Sequence, residues 1–313
     1  VNGAQPASQP PPSLPSSRSF LFLLLLAFAS PSSARTTPML RRMRHSTISG
    51  FGFGAGCFLR RTAAARRRTS FVRGLAAGAH GEIKAGLEGV RERMMRVSEE
   101  AGVAVELIAV SKTKPVEMLQ EAYAAGQRVF GENYAQEMVE KAPQMPPDTQ
   151  WHFIGKLQTN KVNGIVKGVP NLKAVHTVHS EKLARKLGTA CEAVDRGKLD
   201  IYLQVDTSGE ASKNGVSAGP ELNRLAKVVA SLDPPFDRLN LKGLMTIGAP
   251  NDTSCFDKLV EARAQVAESI GVEASSLKLS MGMSGDFEEA IRHGSNMIRV
   301  GSTIFGARDY SKK

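Results

Sequence analysis

The sequence predicts an α/β fold, a single (β/α)8 TIM-type barrel preceded by a leader. Three observations predict it. Eight short apolar runs alternate with amphipathic stretches between residues 82 and 313. That span, about 230 residues, suits one large domain. The runs are almost wholly apolar, as parallel strands covered on both faces should be.

The elements follow in order. Leu87, Val90, Met94, Val97 and Ala101 recur at three- and four-residue spacing, which marks an amphipathic helix. The first strand is expected at 106–112, and Pro115 then opens a helix at the favoured first-turn position. Strands are expected at 128–132, 151–155 and 174–178, and Ser180–Leu187 reads as a helix. Strand 200–206, helix Pro220–Leu232, strand 241–247 and helix Asp252–Ile270 come next. Strand 277–281, a short helix Asp286–Arg292 and strand 297–302 complete the set. The competing architecture, an open doubly wound sheet, wants a glycine-rich fingerprint after its first strand. Ser111-Lys-Thr-Lys-Pro115 is nothing like one.

Charge separates the chain into two parts. Residues 1–81 hold 11 arginines and no Asp, Glu or Lys, whereas the rest balances 30 basic against 30 acidic residues. The basic excess therefore belongs to residues 1–81, and nucleic-acid binding by the core is not expected. An Arg-, Ser- and Ala-rich stretch without acids has the composition of an organellar transit peptide. It is expected to be disordered, with Met39 or Met43 as the translation start and a mitochondrial or plastid destination. A start beyond it would leave a cytoplasmic protein. The apolar run Phe20–Ala29 is about half the length needed to span a bilayer, so no membrane segment is expected. Cys57, Cys191 and Cys255 have no metal-ligand or disulfide-framework spacing, and Asn251-Asp-Thr253 is a sequon of no consequence in a reducing compartment.

A barrel places its chemistry at the C-terminal ends of its strands, and binds phosphate after strands seven and eight. Lys112 ends the first strand, where burial can leave a free amine able to attack a carbonyl. Strand seven runs into Ser280-Met-Gly-Met-Ser-Gly-Asp286, whose N–H groups and Ser284 hydroxyl suit an anion. Strand eight ends in Arg299-Val-Gly-Ser302, where Gly301 permits close backbone approach to a ligand. Together these describe a phosphate-bearing aldehyde held as an imine, and pyridoxal phosphate fits that description.

Six motifs carry a resemblance: Ala109-Val-Ser-Lys-Thr-Lys-Pro115, Phe130-Gly-Glu-Asn-Tyr134, Trp151–Lys161, Ser212-Lys-Asn-Gly215, Leu279-Ser-Met-Gly-Met-Ser284 and Arg299–Gly306. From about residue 84 to 313 the chain resembles the pyridoxal phosphate homeostasis (proline synthase co-transcribed) family, built on a barrel like the alanine racemase N-terminal domain. The resemblance implies pyridoxal phosphate as a Schiff base on Lys112. Ser284, Gly301 and Ser302 would hold its phosphate, Asn133 would lie near the ring, and Arg299 would face the pyridine nitrogen. Lys213 matches a second lysine of interest, read here as a loop lysine. The family's commoner Thr is Ser302 in this chain.

The resemblance implies a carrier that buffers pyridoxal phosphate and supplies apo-enzymes, with a monomer the simplest state. Arg299 supports that expectation, because a permanent positive charge disfavours a proton on the pyridine nitrogen and leaves the ring a poor electron sink. The racemases share such an arginine, but take their second base from a further β domain that the residues up to Lys313 do not supply. The alternative is a fold-type III enzyme acting on an amino acid, a racemase or lyase, with Tyr134, His152 or a partner's residue as the base. His152 otherwise reads as a hydrogen-bonded core histidine. His176 and His179 form a weak metal pattern, and Lys156 and Lys161 a solvated helix face.

Overall fold

The computed structural model describes residues 63–210 and 214–307. The chain divides into two units, 1–59 and 60–313. The first lies outside the described residues, and with it Phe20–Ala29, Met39 and Met43. Lys213 also lies outside them. Among the described residues no helix is long and apolar enough to cross a membrane.

The strands are β1 (Glu106–Val110), β2 (Val129–Glu132), β3 (Gln150–Phe153), β4 (Leu172–Val178), β5 (Leu199–Asp206), β6 (Val216–Ser217), β7 (Leu239–Met245), β8 (Lys278–Met283) and β9 (Met297–Val300). β6 pairs only with the end of β5. The other eight pair in parallel in the order β1-β2-β3-β4-β5-β7-β8-β9, and β9 pairs back onto β1, which closes the barrel. Each expected strand run overlaps one of these eight, with the ends displaced by up to two residues. The two-residue β6 carries no periodicity that a sequence could show.

The helices are α1 (Ala63–Ala101), α2 (Val116–Ala124), α3 (Ala135–Lys141), α4 (Val162–Gly168), α5 (Glu181–Ala193), α6 (Pro220–Ala230), α7 (Ser254–Ile270), α8 (Phe287–Arg292) and α9 (Ser302–Phe305). The first turns of α1 fall in the stretch read as leader. Among the described side chains its packed face includes Ile83, Leu87, Val90 and Val97, all buried. Ser180 caps α5 by accepting the Leu183 N–H at 3.3 Å. Pro220 occupies the first turn of α6, and Gly271 ends α7 in the left-handed conformation at φ 71°. The sequence reading did not delineate α3, α4 and α9. Each is seven residues or shorter, too short for a recurring stripe.

Two apolar clusters form. The larger lies between the strands and the helices and includes Leu107, Phe130, Trp151, Val175, Leu244, Leu279 and Ile298. The smaller consists of Ile108, Val129, Ala174, Tyr202, Met245 and Met297. Alternation along a strand explains the split: Leu107 and Ile108, or Met297 and Ile298, point to opposite faces. The smaller cluster therefore marks the inward positions of the barrel.

Candidate functional site

Stepping by two from the inward positions reaches the C-terminal mouth of the barrel. On β1, Ile108 leads to Val110 and then Lys112. On β2, Val129 leads to Gly131 and Asn133. On β7, Met245 leads to Ile247, and on β9 Met297 leads to Arg299 and Gly301. These endpoints share one cleft of about 320 Å³. Its wall includes all six residues singled out from sequence: Lys112, Asn133, Ser284, Arg299, Gly301 and Ser302. Lys114, Ile154, Ile247 and Met283 also line it.

The anion-ready loops meet on one side of the cleft. Gly301 donates its N–H to Ser284 Oγ at 3.2 Å, which ties the loop after β9 to the loop after β8. The β8 loop is closed by Asp286, whose Oδ1 accepts the Met283 N–H at 2.6 Å. A Cβ on residue 301 would lie 3.2 Å from both Val110 Cβ and Val110 O, so glycine spares β1 and β9 a tight contact here. Ser302 begins α9, whose first N–H groups lack intrahelical acceptors. Lys114 Nζ closes the far end of that helix by donating to the carbonyls of Phe305 and Ala307, each at 2.7 Å.

Asn133 is fixed by a close crossing of backbones. A Cβ on Gly155 would fall 2.1 Å from Asn133 O, so the β3 loop passes directly over it. The Oδ1 atom of Asn133 is buried with no hydrogen-bond partner. An orphaned acceptor in a cleft wall is a place where a ligand donor or an ordered water can sit.

Arg299 is buried, with 5 % of its surface exposed. It donates to Ser280 Oγ at 2.9 Å and to Thr246 O at 2.8 Å. Burial pulls its pKa down to about 10, partly opposed by Asp286, so the guanidinium stays charged at neutral pH. Beneath it, Ser280 Oγ lies 3.0 Å from His176 Nδ1, and His176 Nε2 lies 2.9 Å from His152 Nδ1. His176 also stacks on Tyr202 at 4.2 Å between ring centres. Burial drives His152 down to about 3 and His176 well below its ordinary value, so both are neutral.

The turn that carries Lys112 is held from outside. Ser111 donates its N–H to Gly131 O at 2.9 Å, and its carbonyl accepts Lys114 N–H at 3.1 Å. Thr113 adopts φ 62°, a left-handed conformation that costs a residue other than glycine roughly 1–2 kcal/mol. Lys141 reaches in from α3 and donates to Ser111 O at 3.0 Å, Glu132 Oε1 at 2.7 Å and Glu137 Oε2 at 2.7 Å. Ser111 Oγ donates to the same Glu132 oxygen at 2.7 Å, and Thr113 N–H donates to Glu137 Oε2 at 2.8 Å. Burial pushes the Glu132 carboxyl up, against the pull of the Lys141 ammonium.

Several sequence readings are refined. His152 is the hydrogen-bonded core histidine expected. His179 lies just past the end of β4 and bonds Thr177 O at 3.0 Å, whereas His176 bonds His152 and Ser280, so the two do not work as a pair. Lys161 ends a 3-10 turn and Lys156 precedes it in a loop, both exposed. Neither Tyr134 nor His152 lines the cleft, and Tyr134 is exposed. Glu132, Glu137 and Lys141 escaped notice because nothing in their local spacing marks a turn twenty or thirty residues away.

Comparison with known proteins places this geometry. Residues 87–309 match the alanine racemase N-terminal domain family. The pyridoxal phosphate homeostasis protein of Bos taurus is 42 % identical over 246 residues, covering 72 % of this chain and 88 % of the relative. That of Schizosaccharomyces pombe is 46 % identical over 217 residues, covering 67 % and 87 %. The chain belongs to the pyridoxal phosphate homeostasis protein family. PipY of Synechococcus elongatus, a structure with PLP bound, aligns at TM-score 0.58 and 32 % identity over 72 % of this chain and 100 % of PipY.

Membership in the pyridoxal phosphate homeostasis family accounts for the sequence motifs, and the fold shows where they go. The motifs around Lys112, Asn133, Ser284 and Gly301 each end in the cleft wall. The Trp151–Lys161 motif contributes Ile154 to the wall and His152 to the buried chain below it.

Proposed function

We propose that this protein binds pyridoxal 5′-phosphate in the cleft, holds it as a Schiff base on Lys112, and buffers and supplies it to apo-enzymes. The observation that carries the reading is the convergence of an amine, two serine hydroxyls, a buried arginine and an orphaned acceptor on one cleft. The relatives' printed names and the PipY structure with PLP bound support it.

The residues present fit the group. The Ser284 and Ser302 hydroxyls form a donor set suited to a phosphate, and the Gly301 N–H ties their two loops together at Ser284 Oγ. Asn133 Oδ1 lacks a partner inside the cleft. When bound, pyridoxal phosphate would supply an aldehyde that an amine converts reversibly to an imine with loss of water, so transfer to a recipient requires only exchange of one amine for another. Lys112, in the cleft wall at the end of the inward series of β1, would be the amine that makes that bond. Arg299 offers a positively charged donor and no negative charge, which keeps a proton off a neighbouring ring nitrogen.

Holding is favoured over turnover by the positions of the candidate bases. His152 is buried in the hydrogen-bonded chain, with its pKa depressed to about 3, and Tyr134 stands outside the cleft wall. The test is an absorbance titration of the full chain with pyridoxal phosphate, beside Lys112→Ala. A band near about 420 nm that the variant lacks supports the reading. A wild-type protein with no band overturns it. Racemisation or elimination of amino acids by the loaded protein would favour the fold-type III enzyme instead.

A further inference from the structure

We propose that Lys141 and Glu137 are positioning residues for Lys112, acting as a clamp on the strained Ser111–Lys114 turn. The inference rests on the reading of the cleft as a pyridoxal phosphate site.

Two peptide groups flank Lys112, and both are held. The carbonyl before it, Ser111 O, accepts from Lys141 Nζ at 3.0 Å. The N–H after it, on Thr113, donates to Glu137 Oε2 at 2.8 Å. Lys141 and Glu137 are themselves joined at 2.7 Å, so a single hydrogen-bonded bracket from α3 grips both sides of the lysine. Glu132 anchors the bracket to the end of β2. The bracket faces a residue that does not favour its own conformation. Thr113 is β-branched and sits at φ 62°, where such a residue is an outlier that its surroundings must hold in place.

Strain at Thr113 and the bracket belong together. Without the bracket, Thr113 relaxes toward negative φ, the chain after Lys112 turns, and the lysine side chain leaves its inward direction. With it, Lys112 continues the inward series of Ile108 and Val110. The same bonds explain why a lysine and two glutamates surround this turn when none of the three lines the cleft.

The clamp makes a specific demand on a double-mutant cycle. Glycine takes positive φ without steric cost, so Thr113→Gly should make the clamp less necessary. Pyridoxal phosphate affinity of the full chain is measured by absorbance for wild type, Glu137→Gln, Lys141→Met, and each of these combined with Thr113→Gly. Glu137→Gln is expected to weaken binding roughly fivefold, and Lys141→Met at least about tenfold. Each loss should shrink by more than about half in the Thr113→Gly background. In cofactor-free protein, amide exchange at Thr113 should rise about tenfold or more in Glu137→Gln, while the β strands stay protected.

The outcomes separate. A wild-type protein without the band removes the functional reading, and the clamp's purpose with it. A wild-type band with unchanged affinity in Glu137→Gln and folded Lys141→Met overturns the clamp alone. Losses that persist undiminished beside Thr113→Gly overturn it too, because they mean general destabilisation. If Lys141→Met does not fold, Glu137→Gln, at the more exposed end of the bracket, decides the question.

Discussion

Arg299 donates to Ser280 Oγ at 2.9 Å, and this bond leaves the Ser280 hydroxyl proton for a partner beneath it. A guanidinium has donors only, so Ser280 must accept from it. The Ser280 hydroxyl proton can then go to His176 Nδ1, 3.0 Å away. That leaves His176 protonated on Nε2, from which it donates to His152 Nδ1 at 2.9 Å. His152 in turn carries its proton on Nε2, an atom that is buried without a partner.

With Ser280 donating to His176, the tautomers are set. Both histidines should be neutral at pH 7 with the proton on Nε2. Nitrogen-15 NMR of labelled histidine reads this directly. A proton on Nδ1 of either ring, or a doubly protonated ring at neutral pH, would break the chain of reasoning.

The same burial predicts acid sensitivity. In the unfolded chain His152 titrates near its ordinary 6.5, but in the folded barrel only at about 3, and His176 is shifted the same way. As pH falls below about 6.5 the unfolded state binds protons that the folded state refuses, so stability falls with it. The slope should approach about 1.4 kcal/mol per pH unit for each histidine. Denaturant unfolding at pH 7, 6 and 5 checks it, with His152→Asn expected to flatten the slope. A stability that is level across this range would show that the rings take up protons in place.

Most of the barrel was legible in the sequence because buried parallel strands are written as short apolar runs, and all eight were readable that way. The mouth was partly legible for the same reason. A lysine at the end of a run, two steps beyond Ile108, has to point where the inward residues point. What stayed hidden is long-range and polar. His176 and Ser280 are 104 residues apart, and nothing in either's neighbourhood names the other. Lys141 looks like one more basic residue on a short helix until the fold brings Ser111 O within 3.0 Å of it.

Ser284 should act on the phosphate and little else. Its Oγ accepts from Gly301 N–H, so Ser284→Ala removes one loop tie and one candidate ligand donor. Affinity for pyridoxal phosphate should drop about tenfold, the value of one lost charge-assisted hydrogen bond. Affinity for pyridoxal, which lacks the phosphate, should hardly move. Parallel absorbance titrations of the two aldehydes check this. Equal losses for both would place the phosphate elsewhere in the cleft.

Gly301→Ala separates contact from conformation. Gly301 has φ −124°, outside the left-handed region that favours glycine, so the substitution meets no positive-φ penalty. Its effect should come from the new methyl, 3.2 Å from Val110 O and Val110 Cβ. Val110 cannot retreat alone, because its neighbour Ala109 is paired with Val300 in the β1–β9 register. The methyl should therefore push the β9 loop outward and carry Ser302 and the Gly301–Ser284 bond with it. Overpacking of one methyl costs about 1 kcal/mol or somewhat more of stability. Pyridoxal phosphate binding should suffer more than stability does, by about tenfold or more, because the loop that moves is the one proposed to hold the phosphate. Thermal unfolding and cofactor titration on the same preparation test the contrast. A variant that loses stability and keeps full affinity would mean that Gly301 serves only the joint between β1 and β9.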